Sequence, residues 1–359
     1  MPIKFIPKYT ITTKMTQYLL RIEVAKERVL HLPLTPKVLA TLRETARLIT
    51  THYSTMIEGN RLEPNQVKQV IQYEGHFPGR ERDEHEVKGY FTALKQVEKW
   101  AEERVFITEA LIKTIHGLVM ANGRSKVKAT PYRDEQNVIR DSRTGTIFYL
   151  PPEAKDVPQL MQGFIQWISE NRNLPGPILA GIAHYQFATI HPYYDGNGRT
   201  ARLLTTLLMH LSGYDLKGIY SLEEYYAREL EDYYSAISIG PSHNYYMGRA
   251  EADITPWLEY FLRGMTISFE RVVDQMMLVE DENDQSKRLR QLDPKKRRAL
   301  ELLRKSENVT SRQIGELFGF KPRTSAKLCQ TWVEEGFLEI VNPSNKNRCY
   351  RLSNNYGNN

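Results

Sequence analysis

The sequence predicts a mostly helical protein that carries one short β-hairpin and ends in a small unit of helices and strands. Apolar residues recur at three- and four-residue steps over most of the chain, as in amphipathic helices. Strand-like runs are sparse, and they lie near residue 140 and beyond residue 336. The 359 residues suffice for two or three domains of ordinary size.

The helical pattern is clearest in eight segments: 36–58, 88–103, 107–121, 155–170, 176–190, 199–212, 222–238 and 255–275. Two β-prone runs, 136–139 and 146–150, flank a glycine-containing turn at 141–145. Pro151 and Pro152 end the second run. Together these features predict a hairpin.

The last part of the chain reads as a separate unit. An acidic and then basic stretch within 276–292 predicts a linker or an exposed helix end. Thr310 and Gln313 form a capping box for a helix at 311–318, which Gly319 ends. A second helix from Pro322 to about residue 335 and two alternating runs, 337–341 and 348–352, follow. Helix, turn, helix and a two-stranded wing are typical of a winged helix-turn-helix, here at 293–359.

Composition and charge limit the cellular location and the partners that we expect for this protein. We find no long apolar run near the N-terminus and none elsewhere that approaches a membrane span, so we expect a cytoplasmic protein without a membrane partner. Cys329 and Cys349 form no disulfide framework and no zinc spacing. The net charge of +6 is uneven, since residues 287–352 hold 16 Lys and Arg against 7 Asp and Glu. Phosphate-bearing partners are therefore expected only for this unit.

Residues capable of chemistry are concentrated between two predicted helices, from His191 to Arg202. Pro192 is expected to end the first helix, and the second opens near Arg199. The glycines at 196 and 198 let successive backbone N–H groups converge at a helix N-terminus, where the dipole favours anions. Arg199 and Arg202 share one face of the first turn, which suits bidentate contacts to phosphate oxygens.

Two further side chains complete a set suited to phosphoryl-type transfer. Asp195 is a hard carboxylate of the kind that binds Mg²⁺ beside a polyphosphate. His191 is able to take a proton from an attacking hydroxyl. A base, a metal ligand, an anion cradle and two cationic groups are the components that this chemistry requires.

Residues 191–202 resemble the signature of the Fic family, H-x-F-x-[D/E]-G-N-G-R-x-x-R, at every position but one. Tyr193 stands where Phe is usual, and its hydroxyl needs a partner in the core. The resemblance extends over roughly 30–270. It implies an all-α Fic helical core with a short β-hairpin flap, formed by a catalytic core at 106–275 and an N-terminal helical region at 1–105. It also implies transfer of AMP from ATP, with Mg²⁺, to a Ser, Thr or Tyr hydroxyl of a protein.

The resemblance assigns roles residue by residue. His191 is the implied general base and Asp195 the implied Mg²⁺ ligand. A flap at 137–149 is implied to position the target by strand addition. The implied nucleotide contacts are Gly196, Asn197, Gly198, Arg199, Thr200, Ala201 and Arg202, Asn137, Val138, Ile139 and Arg140 of the flap, Tyr225 and Tyr226 near the adenosine, and Glu58.

An inhibitory segment, residues 54–59, resembles the family motif [S/T]-x-x-x-E-[G/N]. We expect Glu58 to form a fork-to-fork pair with Arg202 and so to deny that arginine to the γ-phosphate. ATP then binds in a poorly aligned pose. Ser54, one turn earlier, is expected to fix the helix end. The same carboxylate also suits removal of AMP from a modified protein, and spacing does not separate the two activities.

A DNA-binding regulator is the alternative of a different class. Lys321, Arg323, Thr324 and Lys327 lie at the start of the candidate recognition helix, with Ser325 and Gln330, and Lys346 and Arg348 lie in the wing. Because both His191 and Arg202 are present, we predict an enzyme first, with the small unit as a targeting or regulatory module. The protein itself as target, duplex DNA and a second copy in a homodimer are the further partners expected.

Overall fold

Helices dominate the part of the chain that the structure describes. The computed structural model describes residues 3–31, 34–140, 147–240, 242–291, 293–306, 308–344 and 348–353. The chain divides into two units, Met1–Asp274 and Gln275–Asn359. Within the described residues, no helix is both long enough and apolar enough to cross a membrane.

The first unit contains a helical body and one two-stranded ribbon. The ribbon pairs β1 (Ile139–Arg140) with β2 (Ile147–Tyr149) in antiparallel register. The helices are α1 (Thr13–His31), α2 (Pro36–Ile57), α3 (Pro64–Gln72), α4 (Glu81–Glu102), α5 (Glu109–Val119), α6 (Val157–Glu170), α7 (Gly176–Ile190), α8 (Asn197–Leu211), α9 (Glu223–Arg228), α10 (Leu230–Ile237) and α11 (Thr255–Gln291), the last of which continues beyond residue 274.

The predicted mostly helical fold is confirmed, with local differences. Each of the eight predicted segments is helical, but 222–238 is two helices because Glu229 leaves helical geometry at φ −118° and ψ 48°. The hairpin strands are shorter than predicted, and its turn at 141–145 lies outside the described residues. Residues 276–291, predicted as a linker or an exposed helix end, are the end of α11.

The sequence analysis missed two helices of the first unit, α1 and α3, and the helix at Pro294–Lys305 in the second unit. In α1 the buried residues are spaced by seven, three and four positions, so the apolar stripe is thin. In α3 the start is marked by Glu63 before Pro64 and by a capping box with Gln66. That capping signal was readable in the sequence.

The core of the first unit surrounds α7, whose residues are buried almost throughout. It packs against α6 on one side and α8 on another, while α4 and α5 lie against α8. The indole of Trp257 in α11 donates a hydrogen bond to the carbonyl of Gly181 at 2.8 Å. The turn that joins α7 to α8 is therefore held between two firmly packed helices.

Helix α2 is fixed by polar contacts along its length. Thr35 caps its N-terminus through a hydrogen bond from the amide of Val38. The guanidinium of Arg47 pairs with Glu98 of α4 at 2.7 Å, and Arg43 donates to the carbonyl of Lys217 at 2.5 Å. These contacts place the C-terminal end of α2 beside the first turn of α8.

The second unit consists of α12 (Pro294–Lys305), β3 (Val309–Thr310), α13 (Ser311–Phe318), α14 (Pro322–Glu334), β4 (Leu338–Asn342) and β5 (Cys349–Leu352). Its antiparallel sheet has the order β3–β5–β4, and β3 was not predicted. The predicted capping box of Thr310 and Gln313 is present, and Gly319 ends α13 at φ 68°. Trp332, Phe337 and Tyr350 are buried in its core.

Candidate active site

The signature loop, residues 191–198, forms the turn between α7 and α8. His191 ends α7 in the left-handed conformation, at φ 52° and ψ 60°, with Pro192 next. Gly196 begins α8 at φ 74°, a conformation that glycine adopts without steric cost. The helix opens at Asn197, two residues before the predicted start. Backbone N–H groups at this end of α8 are available to an anion.

His191 is half-buried and faces a carbonyl. Its Nδ1 lies 3.4 Å from the oxygen of Ala188. Because a carbonyl only accepts, this geometry favours a proton on Nδ1 and a lone pair on Nε2. Burial lowers the pKa of His191 to about 4, with Ala188 and the charge of Glu58 acting in the opposite direction. The imidazole is therefore neutral at pH 7, as a general base must be.

Asn197 holds the signature loop in shape. Its Oδ1 accepts from the amide of Tyr193 at 2.9 Å, and its Nδ2 donates to the carbonyl of the same residue at 2.8 Å. The side chain is only 3% exposed. Both polar side-chain atoms of Asn197, which was predicted to contact the phosphate, therefore bind the backbone of the loop. The amides at the start of the helix are left to face outward.

Tyr193 is a core anchor, as predicted for this position. Its ring is buried and stacks on His116 of α5, with centroids 3.6 Å apart. The hydroxyl has no hydrogen-bond partner among the described residues. His116 in turn contacts the carbonyl of Asp195 through Nε2 at 2.9 Å. No sequence signal distinguished His116, which lies 79 residues from its partner.

Asp195 and Arg199 form a pair at the rim of the signature loop. The Asp195 side chain is 53% exposed, and its Oδ1 accepts from the Gly196 amide at 2.6 Å and from Arg199 at 3.2 Å. Arg199 is itself only 2% exposed, and its Nε has no hydrogen-bond partner among the described residues. Its Nη1 lies 4.0 Å from a carboxylate oxygen of Glu86 in α4.

Arg202 is buried and bound from α2. Its Nε donates to Ser54 Oγ at 2.8 Å, and its Nη2 donates to the Ser54 carbonyl and to Glu58 Oε1, both at 2.8 Å. Burial lowers the pKa of Arg202, but the charge and hydrogen bond of Glu58, together with Tyr233 and Tyr90, outweigh this effect and raise the pKa. Its Nη1 is buried without a partner among the described residues. The N–H groups on Nη1 of Arg202 are therefore not used by the described residues.

Glu58 lies directly over the signature loop. A Cβ atom built on Gly198 would lie 2.2 Å from Glu58 Oε1, so only glycine leaves room for the carboxylate. The expected fork-to-fork pair is wrong in detail, because one Arg202 nitrogen meets one Glu58 oxygen and Ser54 occupies the other side of the fork. Ser54 binds Arg202 rather than closing the helix end.

The flap is tied to the signature loop at its base. Asn137 donates to the carbonyls of Tyr193 and Tyr194 at 3.3 and 3.4 Å, and its Oδ1 accepts from the Val138 amide. Ile139 and Arg140 form β1, in which Ile139 pairs with Tyr149. The hydroxyl of Tyr149 in β2 donates a hydrogen bond to the carbonyl of Thr189 in α7 at 2.7 Å.

Arg133 is a residue that the sequence analysis missed. It is 3% exposed, and its Nε donates to the carbonyl of His191 at 3.0 Å. The same guanidinium donates to the carbonyls of Glu135 and Pro152. One buried cation therefore joins the backbone of His191 to both ends of the flap.

Four other predicted nucleotide contacts lie inside the protein. Tyr225 and Tyr226 are 2% and 0% exposed. The Tyr226 ring packs in a near-parallel stack with Tyr260, and both hydroxyls of the pair 225–226 lack partners among the described residues. Thr200 and Ala201 are buried in α8. The structure thus brings none of these four side chains to the surface of the loop.

The described residues contain no group of three or more His, Cys, Asp or Glu able to hold a metal ion by themselves. Asp195 is the exposed carboxylate nearest the helix amides. Mg²⁺ commonly binds through one or two carboxylates and takes its other ligands from phosphates and water. A single carboxylate at this place fits a metal that arrives with a polyphosphate.

In the second unit, the candidate recognition residues lie at the start of α14. Lys321, Arg323, Thr324 and Lys327 are exposed, as is Gln330. Ser325 is buried and donates to the Lys321 carbonyl at 3.1 Å, so it does not belong to this surface. Arg348 is exposed beside β5, and Lys346 lies outside the described residues.

The glycine turn between α7 and α8 and the two buried arginines that follow it form the candidate site. Residues 106–209 match the Fic/DOC family. This match, and the relatives described next, confirm the predicted resemblance to the Fic family for this segment.

The similar proteins carry the same family name. The protein adenylyltransferase Fic of Drosophila mojavensis is 32% identical over 166 residues, which are 45% of this chain and 32% of that one. Its counterpart in Drosophila melanogaster is 31% identical over the same length. The match spans about a third of the length of these curated relatives.

Solved structures extend the likeness along the chain. A Fic family protein from Desulfovibrio desulfuricans G20 is 25% identical, with a TM-score of 0.60, and covers 98% of this chain and 99% of that one. Residues 134–508 of Fic-1 from C. elegans share the fold at 22% identity, a TM-score of 0.60, and 74% and 73% coverage.

Proposed function

We propose that this protein is a protein adenylyltransferase, which transfers AMP from ATP to a Ser, Thr or Tyr hydroxyl of a protein and is held in check by Glu58. One observation carries the proposal. The chain's own carboxylate lies over Gly198 at the N-terminus of α8 and pairs with Arg202 at 2.8 Å. A carboxylate at this position stands in for a phosphate, and it reveals an anion site.

The proposed chemistry follows from the groups around that site. The hydroxyl oxygen attacks the α-phosphorus, its proton passes to Nε2 of His191, and the bond between the α-phosphorus and the bridging oxygen breaks to release pyrophosphate. The amides at the start of α8 stabilise the added charge, because they point at the anion site before the reaction begins. Arg199 and Arg202 hold the outer phosphates.

Mg²⁺ is part of this proposal, with Asp195 as the protein ligand. When bound with ATP, it neutralises phosphate charge during the transfer. The position of Asp195, exposed and beside Arg199, supports this role. Asn197 acts indirectly in this scheme, since its two hydrogen bonds to Tyr193 keep the loop amides in place.

Inhibition follows from competition for one arginine. The γ-phosphate and Glu58 both require Arg202, and ATP that binds without this contact holds its α-phosphate out of line with the attacking hydroxyl. The position of Glu58 also suits orienting a water for AMP removal. We keep removal as a second activity of the same site.

The experiment measures incorporation of label from ATP carrying phosphorus-32 at the α position, with Mg²⁺, alone and with a cell lysate. We expect Glu58→Gly to label protein at least about tenfold faster than the wild type, because Arg202 is free for phosphate. His191→Ala should abolish label, also when combined with Glu58→Gly. Glu74→Gly is the matched control, since Glu74 is exposed and already has a positive φ of 51°.

Absence of label in Glu58→Gly would refute the transferase proposal. Equal labelling by His191→Ala would refute the assignment of the base. For the second activity, protein labelled by the Glu58→Gly variant is purified and mixed with the wild type. Release of labelled AMP would assign removal to the wild-type site, and stable label would exclude it.

We also propose that the second unit is a winged helix-turn-helix that binds duplex DNA. Two observations favour it: α13 and α14 precede the paired strands β4 and β5, and exposed Lys321, Arg323 and Lys327 gather at the start of α14. This face would approach phosphates. A homodimer remains a prediction from the sequence alone.

A further inference from the structure

A buried carboxylate in α4, Glu86, faces Arg199 in the first turn of α8 and binds Asn60, which follows the inhibitory segment. The residue is only 9% exposed. Its Oε1 lies 4.0 Å from Nη1 of Arg199 and accepts from Nε of Arg82 at 3.0 Å. Its Oε2 accepts from the amide of Asn60 at 3.1 Å. None of the assigned site residues is on α4.

Asn60 fixes the chain two residues after Glu58. Its backbone N–H donates to the carbonyl of Thr55 at 3.1 Å, which closes the end of α2. Its side chain donates to Glu86 and to the Asp83 carbonyl, while its Oδ1 accepts from the amide of Leu62 at 3.1 Å. With the side chain 6% exposed, these bonds set the position from which Glu58 reaches Arg202.

Glu86 therefore links two parts of the proposed mechanism. On one side it faces Arg199, a buried guanidinium whose Nε has no partner among the described residues. On the other side it anchors the segment that carries Glu58. Glu86 adds a fixed negative charge that orients the guanidinium and favours its burial.

We propose that Glu86 is a positioning residue with two separable effects: it holds Arg199 in the orientation that grips the outer phosphates, and through Asn60 it holds Glu58 over the signature loop. This inference rests on the proposed function. Because Oε1 faces Arg199 and Arg82 while Oε2 accepts from Asn60, the two effects can be removed one at a time.

The first test removes the anchor and keeps the carboxylate. Asn60→Ala deletes the side-chain bonds to Glu86 and to the Asp83 carbonyl but leaves Glu86 beside Arg199. We expect labelling to rise at least about fivefold above the wild type, because Glu58 leaves Arg202 more often. In a Glu58→Gly background the same substitution should change labelling less than about twofold, since no inhibitory carboxylate remains to be released.

The second test removes the charge and keeps the anchor. In Glu86→Gln the amide oxygen still accepts from Asn60, while an N–H group replaces the oxygen near Arg199. In the Glu58→Gly background we expect the KM for ATP to rise about tenfold with kcat changed less than about threefold. By calorimetry, ATP should bind about tenfold more weakly and AMP should bind unchanged, because only the outer phosphates contact Arg199.

Controls separate positioning from a structural role. Glu84→Gln changes a neighbouring buried carboxylate of α4, which binds the amide of Phe77 and His76 instead of the site. It should leave the ratio of ATP to AMP affinity at its starting value. Glu86→Asp keeps the charge, so it should restore ATP binding in part.

The inference is overturned if Asn60→Ala leaves labelling at the wild-type level, or if Glu86→Gln weakens ATP and AMP equally. Should Glu86→Gln fail to fold, Asn60→Ala and Glu86→Asp still decide between the outcomes. An inactive Glu58→Gly parent would count against the proposed function instead. The calorimetric comparison of ATP with AMP would remain a valid test of Glu86.

Discussion

His191 ends α7 with its Nδ1 toward the Ala188 carbonyl, so Nε2 is the nitrogen that accepts the proton in the proposed mechanism. The sequence predicted His191, but it did not predict Arg133 and His116, the two residues that hold the loop in place. The signature lies within twelve consecutive residues, whereas Arg133 and His116 reach the loop from 58 and 79 positions away. Contacts of that range depend on how helices pack, and no local pattern records them.

The lowered pKa of His191 gives a prediction about pH. A base must be neutral, and a pKa of about 4 keeps His191 neutral as pH falls through 6.5, where an ordinary histidine gains a proton. In Glu58→Gly the raising effect of that carboxylate is gone. We expect kcat/KM at about pH 5.5 to stay within about twofold of its value at about pH 7.5, against about a tenfold fall for an ordinary histidine.

The measurement is the rate of labelling against pH at low ATP. Circular dichroism at each pH is the control, because other buried histidines favour unfolding when protonated. His184 is one of them, with its pKa lowered by burial to about 3. An inflection near pH 6.5 in a folded protein would show that His191 titrates as a solvent-exposed histidine does.

At the scale of elements, α7 and α8 were predictable because their apolar periodicity is strong and their ends carry Pro192 and Gly196. The ribbon was predictable from β-prone runs around a turn. The strand β3 was not, since its two residues are defined only by pairing with β5, about 40 positions later. The geometry between elements, such as the approach of Glu58 to Arg202, was expected from the resemblance and not from periodicity, and the position of Glu58 over Gly198 was not predicted.

Arg133 provides a prediction for the link between α7 and the flap. Arg133→Met keeps the aliphatic stem but leaves the carbonyls of His191, Glu135 and Pro152 without their donor. We expect a loss of about 2–4 kcal/mol of unfolding free energy, since buried acceptors lose hydrogen bonds to a charged group. Labelling in the Glu58→Gly background should fall as well, because the flap and His191 lose their common anchor.

Urea unfolding followed by fluorescence measures the first effect, and phosphorus-32 incorporation measures the second. Arg124→Met is the matched control, because Arg124 is exposed on the same stretch of chain. It should shift the unfolding midpoint little. If Arg133→Met unfolds at the parental midpoint, the guanidinium does not carry the structural role that we assign to it.

At the scale of the whole molecule, charge is divided between two regions. Residues 287–352 hold 16 basic and 7 acidic side chains, and the net charge of the whole chain is +6. The rest of the chain therefore has a net charge of about −3. This division was visible in the sequence, but the exposure of individual side chains was not. Ser325, for example, shares the sequence neighbourhood of Arg323 and is buried.

The basic unit is predicted to bind duplex DNA with a strong dependence on salt. For the full-length protein, log Kd should increase linearly with log salt concentration, because Lys and Arg displace counterions from phosphates. Arg323→Ala combined with Lys327→Ala should reduce the slope by about 2. Lys37→Ala combined with Lys68→Ala, at exposed positions of the first unit, should leave it unchanged.

Fluorescence anisotropy of a labelled duplex at several salt concentrations provides the measurement. Binding that ignores salt, or that survives the double substitution with its slope intact, would remove the DNA assignment. In that case the exposed start of α14 would be a surface for protein contacts.

The contact between Glu58 and Arg202 affects how the proposed activity depends on the concentrations of protein and nucleotide. Because the competing carboxylate is part of the chain, it meets the arginine at an effective concentration set by the stiffness of α2, not by how much protein is present. In the proposed mechanism, dilution cannot relieve such inhibition, and a phosphate competes only when its concentration, relative to its own Kd, outweighs the effective concentration of the tethered carboxylate. Any event that bends or frays the last turn of α2 would lower that effective concentration, so the state of one helix would set the nucleotide concentration at which transfer begins.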